Sequence, residues 1–376
     1  MNFIYYNNQF IFENLFVIFS LIILLFIPRY ANIFWNINFN YNLIHIKRLK
    51  QIDAIKGISI IAVILIHSCY LIYYQYIETN SIIAINLINN ISRFAIPVFL
   101  FTSGLLLKPF IWDKKYIFNF YFSKFIRIGI PYILVNLVLW QIGYNNSSSL
   151  WKLLITGDMA VPFYFIPVLF QLYILYPLLD YMAKLSPKYL LLGALMISII
   201  SFFIPDTWNL YDFPLFMQYL IFFVYGMLRK DILNNKISNI WGELIIIYLT
   251  LQAIFIIPLI YNNTEISIYR YLYFYNFQLI LGFGFIFTMV KYLQSNKFGA
   301  NFIQNIFAPI GKISLWIFLL HFPIQQFLAD QLYTDNLNLI LYLLQNFILT
   351  IIISIPISWI LGNVYLIYKA IKNNLL

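Results

Sequence analysis

Apolar residues fall in eleven long runs separated by short polar stretches: roughly 10–28, 53–75, 89–107, 125–142, 162–182, 189–205, 213–228, 240–260, 271–290, 311–330 and 338–368. A membrane span needs about 20 mostly apolar residues. Continuous runs of this kind predict helices, because chain in lipid must satisfy its own backbone hydrogen bonds and a barrel would show short alternating strands instead. The expected fold is therefore all-α, a polytopic integral membrane helical protein. The last run is too long for one straight span, so part of it is expected in the interface. The loops are short and nothing after residue 368 is long enough to fold, which predicts one membrane domain over 47–376 preceded by a transmembrane helix and interfacial segment over 1–46. In that segment "NIFWNINFNYN", residues 32–42, reads either as an interfacial stretch or as Asn-rich drift with no role.

Composition agrees with the pattern. The chain of 376 residues is 62% hydrophobic and 10% charged, with a mean hydropathy of +0.82, too little polar surface to coat a soluble globule. The net charge of +10 looks at first like a nucleic-acid signal, but its placement says otherwise. Of the 23 Lys and Arg residues, only Lys152 and Arg270 fall in the loops of one side, which also hold Glu78, Asp158, Asp206, Asp212, Glu265, Asp330 and Asp335. The positive-inside rule then predicts a multi-pass protein of the cytoplasmic membrane with its N-terminus outside and its C-terminus in the cytoplasm, whose basic residues report topology rather than nucleic acid. No Lys or Arg precedes the first run and no small-residue cleavage site follows it, so it is expected to stay as an anchor. The single cysteine, Cys69, offers neither an internal disulfide nor a metal cluster.

Ionisable groups inside such runs are costly and need a function or a way out to water. "IDAIKGISIIAVILIHS", residues 52–68, contains Asp53, Lys56 and His67. Eleven steps of 100° come to three turns plus about 20°, so Lys56 and His67 face the same way about 16 Å apart, with Asp53 within about 60° of Lys56. Lys56 lies near the helix end, where snorkelling and pairing with Asp53 is the simpler reading. No snorkelling route serves His67, and a neutral imidazole there is either a general base or an interhelical hydrogen-bonding group. In "GKISLWIFLLHFPIQQ", residues 311–326, Ser314, His321 and Gln325 share a face, with Pro323 expected to kink the helix; the face lines a cavity or packs helices. Arg93 stands near the outer end of the third run, where it reaches the interface or serves a site, and Ser103 and Gly104 form a small pair at its inner end. The loop from Lys108 to Pro131, with Lys124 and Arg127, suits positive-inside topology and also a polyanionic cytosolic ligand such as a nucleotide-based cofactor.

These residues resemble membrane-bound acyltransferase family 3, which includes O-acyltransferases of bacterial surface glycans. "IDAIKGISIIAVILIHS" is similar to its N-terminal signature: an Asp, a basic residue followed by Gly, and a His beyond. "RFAIPVFLFTSGLLL", "FSKFIRIGIPYIL", "FYFIPVLFQLYILYPLL" and "SLWIFLLHFPI" resemble further segments in the same order, over about residues 47–368, and ten of the eleven runs match the family's usual ten helices. The resemblance implies an enzyme that moves an acyl group, acetyl foremost, from cytosolic acyl-CoA to a hydroxyl of a cell-surface or lipid-linked glycan, with no metal. It implies His67 with Asp53 as catalytic residues, Lys56, Lys124 and Arg127 as binders of the CoA phosphates, and Arg93, Ser103 and His321 on the acceptor. Two departures stand out: Lys56 where the family more often has Arg, which keeps charge but loses bidentate phosphate recognition, and Pro162 near the place where many relatives have a His.

The rival classes are a transporter or flippase exporting a polysaccharide or lipid-linked sugar, and a non-catalytic partner in an envelope assembly. Against transport stands the missing inverted repeat; for it stands an aromatic-rich interior suited to sugars. The partners expected are membrane lipids and a glycan or lipid-linked sugar acceptor, with no nucleic acid.

Overall fold

The computed structural model describes residues 50–73, 85, 88–89, 91–201, 215–228, 282, 284–285, 288–290, 292–293, 298–332 and 338–374. Among them every regular element is helical: α1 (Lys50–Tyr73), α2 (Ala95–Leu105), α3 (Lys114–Lys124), α4 (Ile130–Gln141), α5 (Leu150–Thr156), α6 (Phe165–Leu185), α7 (Pro187–Ser201), α8 (Leu220–Leu228), α9 (Phe298–Lys312), α10 (Ser314–Leu332) and α11 (Leu339–Asn374). The expected runs over 10–28 and 240–260, most of that over 271–290, and the segment 32–42 lie outside the described residues.

Four stretches are long and apolar enough to cross a membrane: Lys50–Leu71, Lys114–Gln141, Val161–Leu185 and Leu339–Asn363. A fifth is formed if α9 and α10, which meet at 75°, count as one broken span. Large apolar side chains stand exposed along α4, α6 and α11, among them Val138, Ile174, Leu178, Ile352 and Ile360. A face of that size would aggregate in water and is at home against lipid.

Close helix contacts are made by glycine. At Gly57 of α1 a methyl group would meet the Phe307 carbonyl of α9, and at Gly311 of α9 it would meet the Asp53 carbonyl of α1. Gly104 of α2 and Gly226 of α8 face each other's helices in the same reciprocal way, against the Phe223 and Phe101 carbonyls. Backbones that approach this closely gain dispersion contacts, the main source of helix adhesion where lipid is as apolar as the side chains.

Three local features go beyond the sequence reading. The helix continues through Pro323, and the sharp bend falls at Ile313 between α9 and α10. Pro323 lies inside α10, where it removes one backbone donor. Helix α9 has no counterpart among the apolar runs, because its Asn, Gln and Gly residues dilute it. The run 125–142 belongs to a longer helix that begins at Lys114 and passes through a π-turn at Phe125–Gly129, so Arg127 sits where the helix is locally widened. Such widened turns recur at functional sites.

The loop after α2 is tied down from below. Tyr176 of α6 donates its hydroxyl proton to the Lys108 carbonyl, and Lys184 Nζ donates to the Phe110 carbonyl at 3.2 Å while pairing with buried Asp180 at 2.8 Å. A carboxylate without exposure is tolerable here because the Lys184 ammonium pairs with it.

Candidate active site

Helices α1 and α10 bring the two intramembrane histidines together. The rings of His67 and His321 lie 5.3 Å apart between centroids, tilted by 48°. Phe322 meets His67 edge-on at 5.1 Å, Tyr70 stands 6.4 Å from it, and Phe318 lies 5.9 Å from His321. Phe165 of α6 backs Phe318 at 5.4 Å. The walls of the site are thus aromatic, and an electrostatic interaction inside them is weakly screened.

His321 is fully buried, and its Nδ1 contacts the carbonyl oxygens of Ile317 at 3.1 Å and Phe318 at 2.8 Å. Its Nε2 and the Nδ1 of half-buried His67 are both buried and lack a hydrogen-bond partner among the described residues. Buried polar atoms are normally paired, so two unpartnered ring nitrogens on adjacent helices make this the candidate site.

A ring of hydrogen bonds holds the histidine-bearing helices in register. Gln325 Nε2, one turn beyond His321, donates to the Ile64 carbonyl at 2.8 Å and to Ser68 Oγ at 2.7 Å. Ser68 Oγ in turn donates to Asn346 Oδ1 at 3.3 Å, and Asn346 Nδ2 donates to the Gln325 carbonyl at 3.0 Å. These contacts clasp α1, α10 and α11 around the turn that carries His67. The sequence marked Gln325 only as sharing the His321 face, and it passed over Ser68 and Asn346. The available signal was that polar side chains inside apolar runs need partners on other helices.

The remaining predicted residues separate into groups. Arg93, whose Nε donates to Asn89 Oδ1 at 3.0 Å, is close enough for its charge to be felt at His67. Asp53 and Lys56 lie on α1 three to four turns before His67; Asp53 is 5% exposed, with its backbone against Gly311, and Lys56 is half-buried. Lys124 and Arg127 stand within electrostatic reach of each other, and Lys124 Nζ sits 4.3 Å above the Tyr173 ring and 5.5 Å from the Phe120 ring. Ser103 donates to the Phe99 carbonyl at 2.7 Å and lies beside the Tyr173 hydroxyl. Ser103 therefore groups with Lys124 rather than with the histidines.

Across the other end of α10, the Tyr144 hydroxyl donates to Gln326 Oε1 at 2.5 Å, pinning the loop after α4 over the helix that carries His321. Burial, followed by the Asp330 carboxylate, pushes the Tyr144 hydroxyl above the usual phenol range, so it remains a donor. Among the described residues no group of three or more His, Cys, Asp or Glu comes together around a common point.

Comparison with known proteins adds a family. No curated protein and no solved structure matches the chain. The family model of the acyltransferase domain matches residues 49–361, a stretch that contains α1 to α10, both histidines and every candidate site residue. A helical membrane chain so matched over most of its length belongs to acyltransferase family 3 and is an acyltransferase.

Proposed function

We propose that this acyltransferase takes an acyl group, acetyl foremost, from cytosolic acyl-CoA and delivers it to a hydroxyl of a cell-surface or lipid-linked glycan. The observation that carries the reading is the pair of vacant ring nitrogens of His67 and His321, walled by aromatic residues and clasped between α1 and α10. Two imidazoles in one aromatic-walled site suit acyl transfer to oxygen, which needs a lone pair to remove the hydroxyl proton and a donor for the developing oxyanion. In this account the CoA phosphates dock on the cytoplasmic cations Lys124, Arg127 and Lys56. Lys124 and Arg127 flank one patch, and Tyr173 under Lys124 gives that ammonium a fixed seat. The thioester reaches along the face of α1 that bears Asp53, Lys56 and His67, and the acceptor hydroxyl attacks it at the histidines. Arg93, oriented by Asn89, lends positive charge near the oxyanion.

Mass spectrometry of surface glycans from cells with and without the gene tests the reading. The expected result is the loss of one acyl-sized mass from an otherwise intact glycan. Loss of the polymer itself would contradict it.

A further inference from the structure

The proton positions on His321 follow from its neighbours. Carbonyl oxygens only accept hydrogen bonds, and Nδ1 contacts two of them, at 3.1 and 2.8 Å, so Nδ1 carries the ring proton. In the neutral ring the other nitrogen, Nε2, then holds a lone pair, and that atom is buried with no partner among the described residues. The orientation of the Gln325 amide is fixed by the same logic. Its NH2 group must face the Ile64 carbonyl, which cannot donate, so Oε1 faces away, and Oε1 is likewise buried and vacant. Both residues are 0% exposed and sit one turn apart on the same face of α10. Two vacant atoms that can only accept call for a ligand that donates. A thioester has no O–H or N–H at its carbonyl, whereas an acceptor bearing several hydroxyls has many.

We propose that α10 holds the hydroxyl-bearing acceptor and that His321 Nε2, rather than His67, is the base that removes its proton. This rests on the acyl-transfer reading above and assigns the labour within it. The acceptor O–H donates to Nε2, and Gln325 Oε1 takes a second hydroxyl of the same ligand. As the acceptor oxygen bonds to the thioester carbonyl carbon, its proton passes to Nε2. Collapse of the tetrahedral intermediate breaks the carbon–sulfur bond, and the leaving thiolate takes that proton, so His321 ends the cycle neutral. His67, across the seam, is left to the thioester oxygen, on which negative charge develops.

The bland alternative is that His321 is an intrahelical hydrogen-bonding residue and nothing more. His321→Asn separates the two, since an Asn amide still reaches the Ile317 and Phe318 carbonyls but has no counterpart of Nε2. The test uses the full chain in lipid nanodiscs with radiolabelled acetyl-CoA and a glycan extract of the envelope of its own cell. Wild-type protein is expected to transfer label, and His321→Asn to lose about 10²–10⁴-fold in kcat, with the melting transition retained. Retention of wild-type kcat within a few-fold by the folded variant overturns the assignment. Failure of the wild type to transfer label overturns the acetyl-CoA reading instead. Nitrogen NMR of the wild type needs no variant of His321: the chain has three histidines, so His45→Gln and His67→Gln assign the third by elimination. A protonated Nδ1 and a lone-pair Nε2 are expected, and a proton on Nε2 overturns the proposal even if His321→Asn does not fold.

Discussion

Gln325 shows how one side chain can matter to catalysis without touching the reacting atoms. Its amide bridges from α10 to the backbone of α1, and it lands on the turn before His67. Gln325→Leu keeps volume but removes the hydrogen bonds to the Ile64 carbonyl and Ser68 Oγ, a loss of about 0.5–1.5 kcal/mol for each. The expected outcome is a lower melting temperature in detergent together with slower transfer, because the separation of the histidines is no longer fixed. At the other group of polar residues, Lys124→Ala is expected to raise KM for acyl-CoA by about 10-fold or more, as the loss of a charged hydrogen bond to phosphate does, while kcat changes little; steady-state kinetics at varied acyl-CoA checks it. At this scale the sequence showed that His67 lies in line with Lys56, since spacing within one helix is arithmetic. It left open whether His67 and His321 serve chemistry or packing, and spacing could not have said that they face each other, because the contact depends on how two distant helices meet.

Helices carry the next part of the account. The contact of α9 with α1 depends on the absence of a Cβ at Gly57 and Gly311, where the opposing atoms are backbone and cannot swing away. Gly57→Ala is expected to destabilise the fold by about 1–3 kcal/mol, as overpacking does, and thermal unfolding measures it; full stability would mean that the two helices are not so close. The apolar pattern found α1, α4, α6, α10 and α11 because each is a long uninterrupted run. It missed α9, whose Ile303, Phe307 and Ile310 repeat at helical spacing but whose Asn301, Gln304 and Asn305 break the apolar run between them. A threshold on mean hydropathy discards that pattern, whereas periodicity retains it. A sharp bend that the pattern did not mark lies at Ile313, between α9 and α10, while Pro323 lies inside α10.

For the whole molecule, the proposed function assigns acyl-CoA to the cations Lys124 and Arg127, while Tyr144 meets Gln326 over α10. In a Cys69→Ser background, a membrane-impermeant maleimide is expected to label Ser148→Cys in intact cells and Lys115→Cys only after permeabilisation; the reverse pattern would invert the orientation argued from charge. The fold class was legible because composition and run length fix it. The identity of the acceptor was not, because the shape of an acceptor cavity is set by many helices at once. The most direct test of the central claim is complementation. In cells lacking the gene, wild-type protein is predicted to restore the acyl mass on the surface glycan, and His67→Ala, at equal abundance in the membrane, to restore none. Full restoration by His67→Ala would contradict the account.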